Sequence, residues 1–258
     1  MADNYTFKRV EKKYLLSREK YEQLIKRLEP YMQMDEYGLH TICNIYYDTD
    51  QFDLIRTSIE KPPYKEKLRL RSYGVPDKGG KVFLEIKKKW KGVVYKRRIA
   101  LTLEEAEDYL TKGRPLPKDG QIEREIDYFI KFYQPKAKMY IAYDREAYFG
   151  KEDSSIRITF DQNIRSREED LKLEQGDAGK LLLERGYRLM EIKIGGAFPM
   201  WMANILSELE IYPTSFSKYG NIYKNSLERL MPEPAAVMTD TAGGRLTEVC
   251  GSIAAAAV

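Results

Sequence analysis

Hydrophobic and polar positions alternate with period two in eight short runs: Phe7–Leu16, Ile42–Asp48, Lys65–Tyr73, Lys81–Lys89, Val93–Leu101, Lys136–Tyr148, Ile156–Asp161 and Arg188–Ile194. Period two, with Val, Ile, Tyr and Phe on one side, predicts half-buried β-strands. The intervening segments change to helical spacing. Helices are expected after Ser17 up to Pro30, after the capping pattern Thr102-x-x-Glu105, over Ile122–Tyr133, and over Ala178–Arg185, Met200–Ile211 and Gly220–Leu230. Lys61-Pro62-Pro63, Pro76–Gly80 and Arg114–Pro117 mark connections. From Pro232 to Val258 charge and periodicity fade into an alanine run, which reads as a low-complexity tail (231–258) behind one folded unit (1–230).

The polar half of the alternation is unusual, being built from ions. In Phe7–Leu16, Arg9, Glu11 and Lys13 oppose Val10, Tyr14 and Leu16; in Lys65–Tyr73, Lys67, Arg69 and Arg71 oppose Leu68 and Leu70. Glu85 and Lys87, Lys96 and Arg98, Tyr143 and Arg145, Arg157, Thr159 and Asp161, and Glu191 and Lys193 repeat the split. One such strand is an ordinary solvated face. Seven together, dominated by Arg and Lys, predict a closed or nearly closed barrel of about eight strands with an ionic, mainly cationic lumen, with helices between the strands.

Composition then narrows the chemistry. The whole chain has 44 basic and 40 acidic residues, yet the inward set, with Lys218 from a connection, holds twelve cations against four carboxylates. So much like charge calls for a ligand with several phosphates. Nucleic acid is the competing polyanion, but the zinc-finger and RNA-recognition patterns are absent, so no nucleic-acid partner is expected. His40, the single histidine, excludes most Ser-His-Asp and Cys-His designs and reads as a loop residue. Cys43 and Cys250 suggest neither disulfide framework nor zinc site, and Cys43 reads as a buried small hydrophobe. There is no phosphate-loop motif, secretory signal or long apolar run, so a cytoplasmic protein without a direct membrane segment is expected. Lys88, Lys89 and Lys91 around Trp90 read as a solvated hairpin, and Tyr46 and Tyr47 as strand packing.

Arg9-x-Glu11-x-Lys13-Tyr14, Lys67-x-Arg69-x-Arg71, Glu85-x-Lys87, Lys96-x-Arg98, Tyr143-x-Arg145, Arg157-x-Thr159, Glu191-x-Lys193 and Ser217-Lys218-Tyr219 resemble, in order, the VTC domain. This is the catalytic domain of polyphosphate polymerases of the vacuolar transporter chaperone type, in the triphosphate tunnel metalloenzyme (CYTH-like) superfamily. The resemblance covers roughly Thr6 to Leu230. It implies an α+β fold, an antiparallel eight-stranded β-barrel tunnel with a polar cationic lumen flanked by α-helices, and an enzyme that takes ATP and transfers its γ-phosphoryl group to a growing inorganic polyphosphate chain, assisted by Mn²⁺ or Mg²⁺. By that resemblance Lys13, Arg69, Arg71, Lys87, Lys96, Arg145, Arg157 and Lys218 do the catalytic work. Arg9, Glu11, Lys67, Arg98, Tyr143, Lys193 and Ser217 contact substrate, and Glu191 matches the metal-binding glutamate.

Hydrolytic and cyclase relatives carry Glu-x-Glu-x-Lys on the first strand, and here the first carboxylate is Arg9. Replacing a metal ligand by a cation favours polymerase over hydrolase. The eukaryotic polymerases add an SPX domain and a membrane segment, so regulation and export are expected from elsewhere, through a membrane-protein partner. A non-catalytic binder of polyphosphate or nucleotide and an inorganic triphosphatase are the alternatives.

Overall fold

The computed structural model describes residues 10–91 and 93–230. In chain order the elements are β1 (Val10–Leu16), α1 (Arg18–Leu28), β2 (Met32–Met34), β3 (His40–Asp48), α2 (Asp53–Glu60), β4 (Tyr64–Tyr73), β5 (Lys81–Trp90) and β6 (Val93–Thr102). There follow α3 (Leu103–Lys112), α4 (Gln121–Tyr133), β7 (Lys136–Gly150), β8 (Arg157–Arg167), β9 (Lys180–Leu181), β10 (Arg188–Ile194), α5 (Met200–Glu208) and α6 (Lys218–Leu230). The fold is α+β, with one antiparallel ten-stranded sheet in the order β1-β10-β8-β7-β3-β4-β5-β6; β2 adds to β7 and β9 to β8. All eight expected strands lie on that main path.

Strand alternation sorts the side chains into three cores. Outside β3–β6, Leu68, Leu70, Leu84, Ile86 and Ile99 pack under Ala106 of α3 and Ile126 and Phe129 of α4. Outside β1, β10 and β8, Tyr14, Ile158, Phe160, Met190 and Ile192 pack under Leu24 of α1 and Met202 of α5. These two cores supply most of the hydrophobic stabilisation. The third lies on the inward face, where Ile42, Met139, Ile141 and Leu189 meet Ile55 of α2 and Tyr219 and Ile222 of α6. The inward face is therefore ionic only in part, and helices cover the rest.

The sheet is not closed by hydrogen bonds: β1 and β6 share no ladder among the described residues. It curls instead. Lys13 of β1 lies close enough to Lys67 of β4 and Lys87 of β5 for its charge to bear on both, so opposite strands face one another across a concave interior.

Three local expectations are corrected. Ala178–Arg185 is not a helix but the short strand β9 and its turns. Arg165 donates to the Asp177 carbonyl and carboxylate, and Arg167 donates to the carbonyls of Gly176 and Ala178, spending in tertiary bonds the groups a helix start would use. A Cβ on Gly179 would fall 2.7 Å from the Ser166 carbonyl oxygen, so the close pairing with β8 needs glycine. Helix α2 was not expected because its cap is remote: the buried Asp48 carboxylate accepts from the Leu54 and Ile55 backbone N–H groups. His40, expected in a loop, opens β3 opposite Arg145.

No helix among the described residues is long and apolar enough to cross a membrane.

Candidate functional site

Two buried carboxylates organise the inward face. Asp161 on β8 is 0 % exposed. Arg145, its ladder neighbour on β7, grips it with two hydrogen bonds, Nε to Oδ1 at 2.6 Å and Nη2 to Oδ2 at 2.8 Å. Lys218 Nζ donates to the same carboxylate from α6. Lys218 was expected in a connection and is instead the first residue of this helix. Burial would pull the Lys218 ammonium down, but Asp161 and Glu191 outweigh it and hold it above its usual value. Ser217 caps the helix, its Oγ accepting from Gly220 N at 3.1 Å, and Tyr219 OH donates to Asp48 at 3.0 Å. Asp48 thus fixes both α2 and the start of α6.

Glu85 on β5 is the second organiser, 1 % exposed. Arg69 donates through Nε to its Oε2 at 2.8 Å; Lys96 Nζ lies 2.8 Å from Oε1, and Arg71 and Arg98 lie at 3.8 and 3.9 Å. Burial alone would push the Glu85 carboxyl up, but these cations bring it down to about 2. Arg71 reaches further, donating from Nε to Asn44 Oδ1 at 2.9 Å and from Nη2 to Tyr143 OH at 3.1 Å. Tyr143 in turn lies under Arg145 and Lys218, with its ring 5.1 and 4.5 Å from their charged groups. A continuous chain of contacts therefore joins Lys218 and Arg145 to Arg71, Arg69 and Lys96 across β8, β7, β3, β4, β5 and β6.

Glu191 on β10 forms the third centre. Lys13, Lys193 and Lys218 surround it at 3.4, 3.3 and 3.8 Å, and their charges overcome its burial to hold the carboxyl well below the usual range. Lys13 Nζ also donates to the Phe216 carbonyl at 3.0 Å, and Glu11 lies 4.0 Å from it. Opposite Glu191 in the ladder, the buried Thr159 hydroxyl has no hydrogen-bond partner. The described residues contain no group of three His, Cys, Asp or Glu able to hold a metal. Glu191 with Thr159 fits a hard divalent cation that keeps most of its oxygen ligands from phosphates, as Mg²⁺ does, and does not fit an all-protein cage.

Lys67 and Lys87, directly opposite in the β4–β5 ladder, have no ion-pair partner among the described residues. The surrounding protein thins the solvent around both: with repulsion from Lys65, Lys87 and Lys13 it lowers Lys67 to about 8, and with Lys13 and Arg69 it outweighs the attraction of Glu11 and holds Lys87 below its usual value. Lys96 is likewise lowered to about 8, chiefly by burial.

Arg157 is not brought into this cluster: it is 54 % exposed at the rim, 3.9 Å from Asp35. Arg9 lies outside the described residues, as does the tail from 231 to 258. Asn44 and Asp48 were not singled out in the sequence. The available signal was a polar side chain inside the apolar run Ile42–Tyr47, where a buried amide needs partners. Tyr46, expected to be packing, also accepts from Arg69 Nη1 at 3.1 Å.

Residues 8–227 match the family model of the VTC domain. No curated protein matches the sequence significantly. Among solved structures, a candidate adenylate cyclase from Bacillus halodurans is 18% identical, with a TM-score of 0.51 over 81% of this chain and 92% of that one. A candidate adenylyl cyclase from Hippeastrum, described as having a dominant triphosphatase activity, is 16% identical, with a TM-score of 0.53 over 84% and 96%. At these identities the likeness is one of fold.

Proposed function

Because the chain belongs to the VTC domain family, we propose that it is an ATP-dependent polyphosphate polymerase, transferring the γ-phosphoryl group of ATP to a growing inorganic polyphosphate chain. The observation that carries this reading is the inward face itself. Its arginines are held rigidly by Glu85 and Asp161, while Lys67 and Lys87 stay unpaired among the described residues. A polyanion threaded along such a face meets donors already aimed and charge not yet neutralised.

Phosphoryl transfer passes through a loose transition state, so the protein must align donor and acceptor and neutralise the equatorial oxygens. No protein nucleophile is needed. Arg69 and Arg71 share a face two residues apart and would hold adjacent phosphates. Lys13, Lys96, Arg145 and Lys218 would complete the cationic wall, with Lys67, Lys87, Arg98 and Lys193 continuing it along the chain. Glu191 would hold the divalent ion, Mn²⁺ or Mg²⁺, on the phosphate oxygens, where it supplies charge neutralisation. The reading is favoured over a triphosphatase by how few carboxylates are free to gather metal: Asp161, Glu85 and Glu191 are each engaged by two or more cations, and Glu11 is the less committed one, 4.0 Å from Lys13.

Incubating the purified protein with γ-labelled ATP and Mn²⁺ or Mg²⁺, then resolving products on a gel, tests it. A ladder of long chains is expected. Free phosphate alone would assign a triphosphatase, and no turnover with retained polyphosphate binding would assign a binding module.

A further inference from the structure

The cationic ladder does not stop at Lys67 and Lys87. One pleat further along β4 and β5, Lys65 faces Lys89 in register, and beyond them the backbone N–H of Lys91 donates to the Pro63 carbonyl at 2.8 Å. Here Lys61, Pro62, Pro63, Lys65, Lys89, Lys91 and Ser215 line a pocket of about 550 Å³. Four lysines surround it and, among the described residues, no acidic one does. Lys65 is partly fixed, its Nζ donating to the Ser58 carbonyl at 2.9 Å. Burial together with Lys89, Lys61 and Lys87 lowers its ammonium below the usual value. Like charges directly opposite one another destabilise a ladder, so the empty protein holds this pocket at a cost.

The pocket is tied to the site already described. Same-face positions on a strand recur about every 7 Å, so the row from Arg71 through Arg69 and Lys67 to Lys65 runs about 20 Å. On the other side, Ser215 belongs to the segment that crosses β1: Thr214 N donates to the Lys13 carbonyl at 2.7 Å, and the Phe216 carbonyl accepts from Lys13 Nζ. Glu85 neutralises the inner end of the row. Outward from it no carboxylate interrupts the lysines on this face of the β4–β5 ladder.

We infer that the pocket formed by Lys61, Lys65, Lys89 and Lys91 is a second polyanion site, a mouth that grips the part of an inorganic polyphosphate chain lying outside the catalytic cluster. This rests on the proposed function and extends it. A long chain occupies cluster and mouth together, so the mouth acts as the second arm of a bivalent contact. Tripolyphosphate is too short to reach from Arg69 to Lys91 and feels only the cluster. The mouth therefore makes affinity depend on chain length.

The triple variant Lys61→Asn, Lys89→Gln, Lys91→Asn tests this without touching the catalytic cluster. Asparagine suits Lys61 and Lys91, whose backbones are left-handed at φ 58° and 44°. Binding of tripolyphosphate and of a chain of tens of units is measured by calorimetry, without metal, over a range of salt. For the long chain the variant should lose about tenfold or more in affinity. Its slope of log affinity against log salt should shrink by about 2, by analogy with single-stranded nucleic acid at ~0.7 per contact. Tripolyphosphate affinity should stay within about twofold of wild type. A variant with the wild-type long-chain affinity and slope would overturn the mouth while leaving the catalytic cluster standing. Wild-type protein that binds neither chain would overturn both readings. Wild-type protein that gains nothing from chain length but holds phosphatidylserine vesicles would reassign the pocket to a membrane surface.

Discussion

The two walls of the concave face solve the same electrostatic problem differently. On the β8–β10 wall, Asp161 and Glu191 stand among Arg145, Lys218, Lys13 and Lys193, so each carboxylate is shared by cations and each cation has a carboxylate. On the β4–β6 wall the single buried carboxylate, Glu85, faces Arg69, Arg71, Lys96 and Arg98, and Lys67 and Lys87 have none among the described residues. The first wall approaches internal balance and can be a rigid support. The second is incomplete without an anion. Charge excess, more than the presence of charge, separates a wall whose cations are already matched and held in place from one that still lacks counter-charge.

The sharpest way to break this contrast is to remove the support. Asp161→Asn keeps the shape but leaves Arg145 and Lys218 without their buried carboxylate. Stripping one partner from a buried pair costs about 3–5 kcal/mol. A large drop in urea midpoint is expected, with phosphate partly restoring it by replacing the lost charge. A midpoint within experimental error of wild type would show that this wall is not balanced internally.

Arg69→Ala probes the opposite wall and should divide stability from activity. Glu85 keeps Lys96 and Arg71 nearby, so folding survives, while transfer loses one preorganised contact worth roughly 2–4 kcal/mol, about 30- to 1,000-fold in kcat/KM. Wild-type activity in this variant would mean that the ionic face is only solvated surface.

The sequence carried one half of this contrast better than the other. Period-two alternation placed all eight main strands and told which face was ionic, because strand phase is a local property. It also placed Arg69, Arg71, Glu85, Lys96, Arg145 and Glu191 on a common face. It could not reveal which cations were already neutralised, since Arg145 meets Lys218 at Asp161 only after α6 has folded back over the sheet. Asn44 and Asp48 were hidden for the same reason: their roles lie in bonds to Arg71, Leu54 and Tyr219, set by packing and not by spacing. Helix α2, capped from the end of β3, lacks the local signature that exposed α3.

Glu191→Gln asks whether the balanced wall also has a catalytic edge. As a metal ligand, its loss should lower polymer yield at a given Mn²⁺ concentration by about tenfold or more and shift the titration to higher metal. Polyphosphate affinity in EDTA should persist or rise, because one repelling anion has gone. A variant that only melts earlier, with the wild-type Mn²⁺ titration, would make Glu191 a partner for Lys13, Lys193 and Lys218 and nothing more.

The smallest effect tests the incomplete wall in its empty state. Lys67 and Lys96 both titrate near 8 in the folded protein, against an ordinary value of 10.5. Between those values the unfolded chain binds more protons than the folded one, so the stability of the ligand-free protein should rise as pH increases from about 8 towards 10.5. Affinity for a polyanion should fall over the same window, because the deprotonated lysines no longer attract it. Lys67→Met removes one of two directly opposed like charges while keeping the length of the side chain. It should stabilise the empty protein by roughly 0.2–1 kcal/mol at pH 7, flatten the alkaline rise in stability and weaken polyphosphate binding. Chemical denaturation at a series of pH values, with and without polyphosphate, measures all three. Should Lys67→Met destabilise the empty protein at pH 7, the lysine row would be matched by charge within the fold, and the distinction between the two walls would collapse.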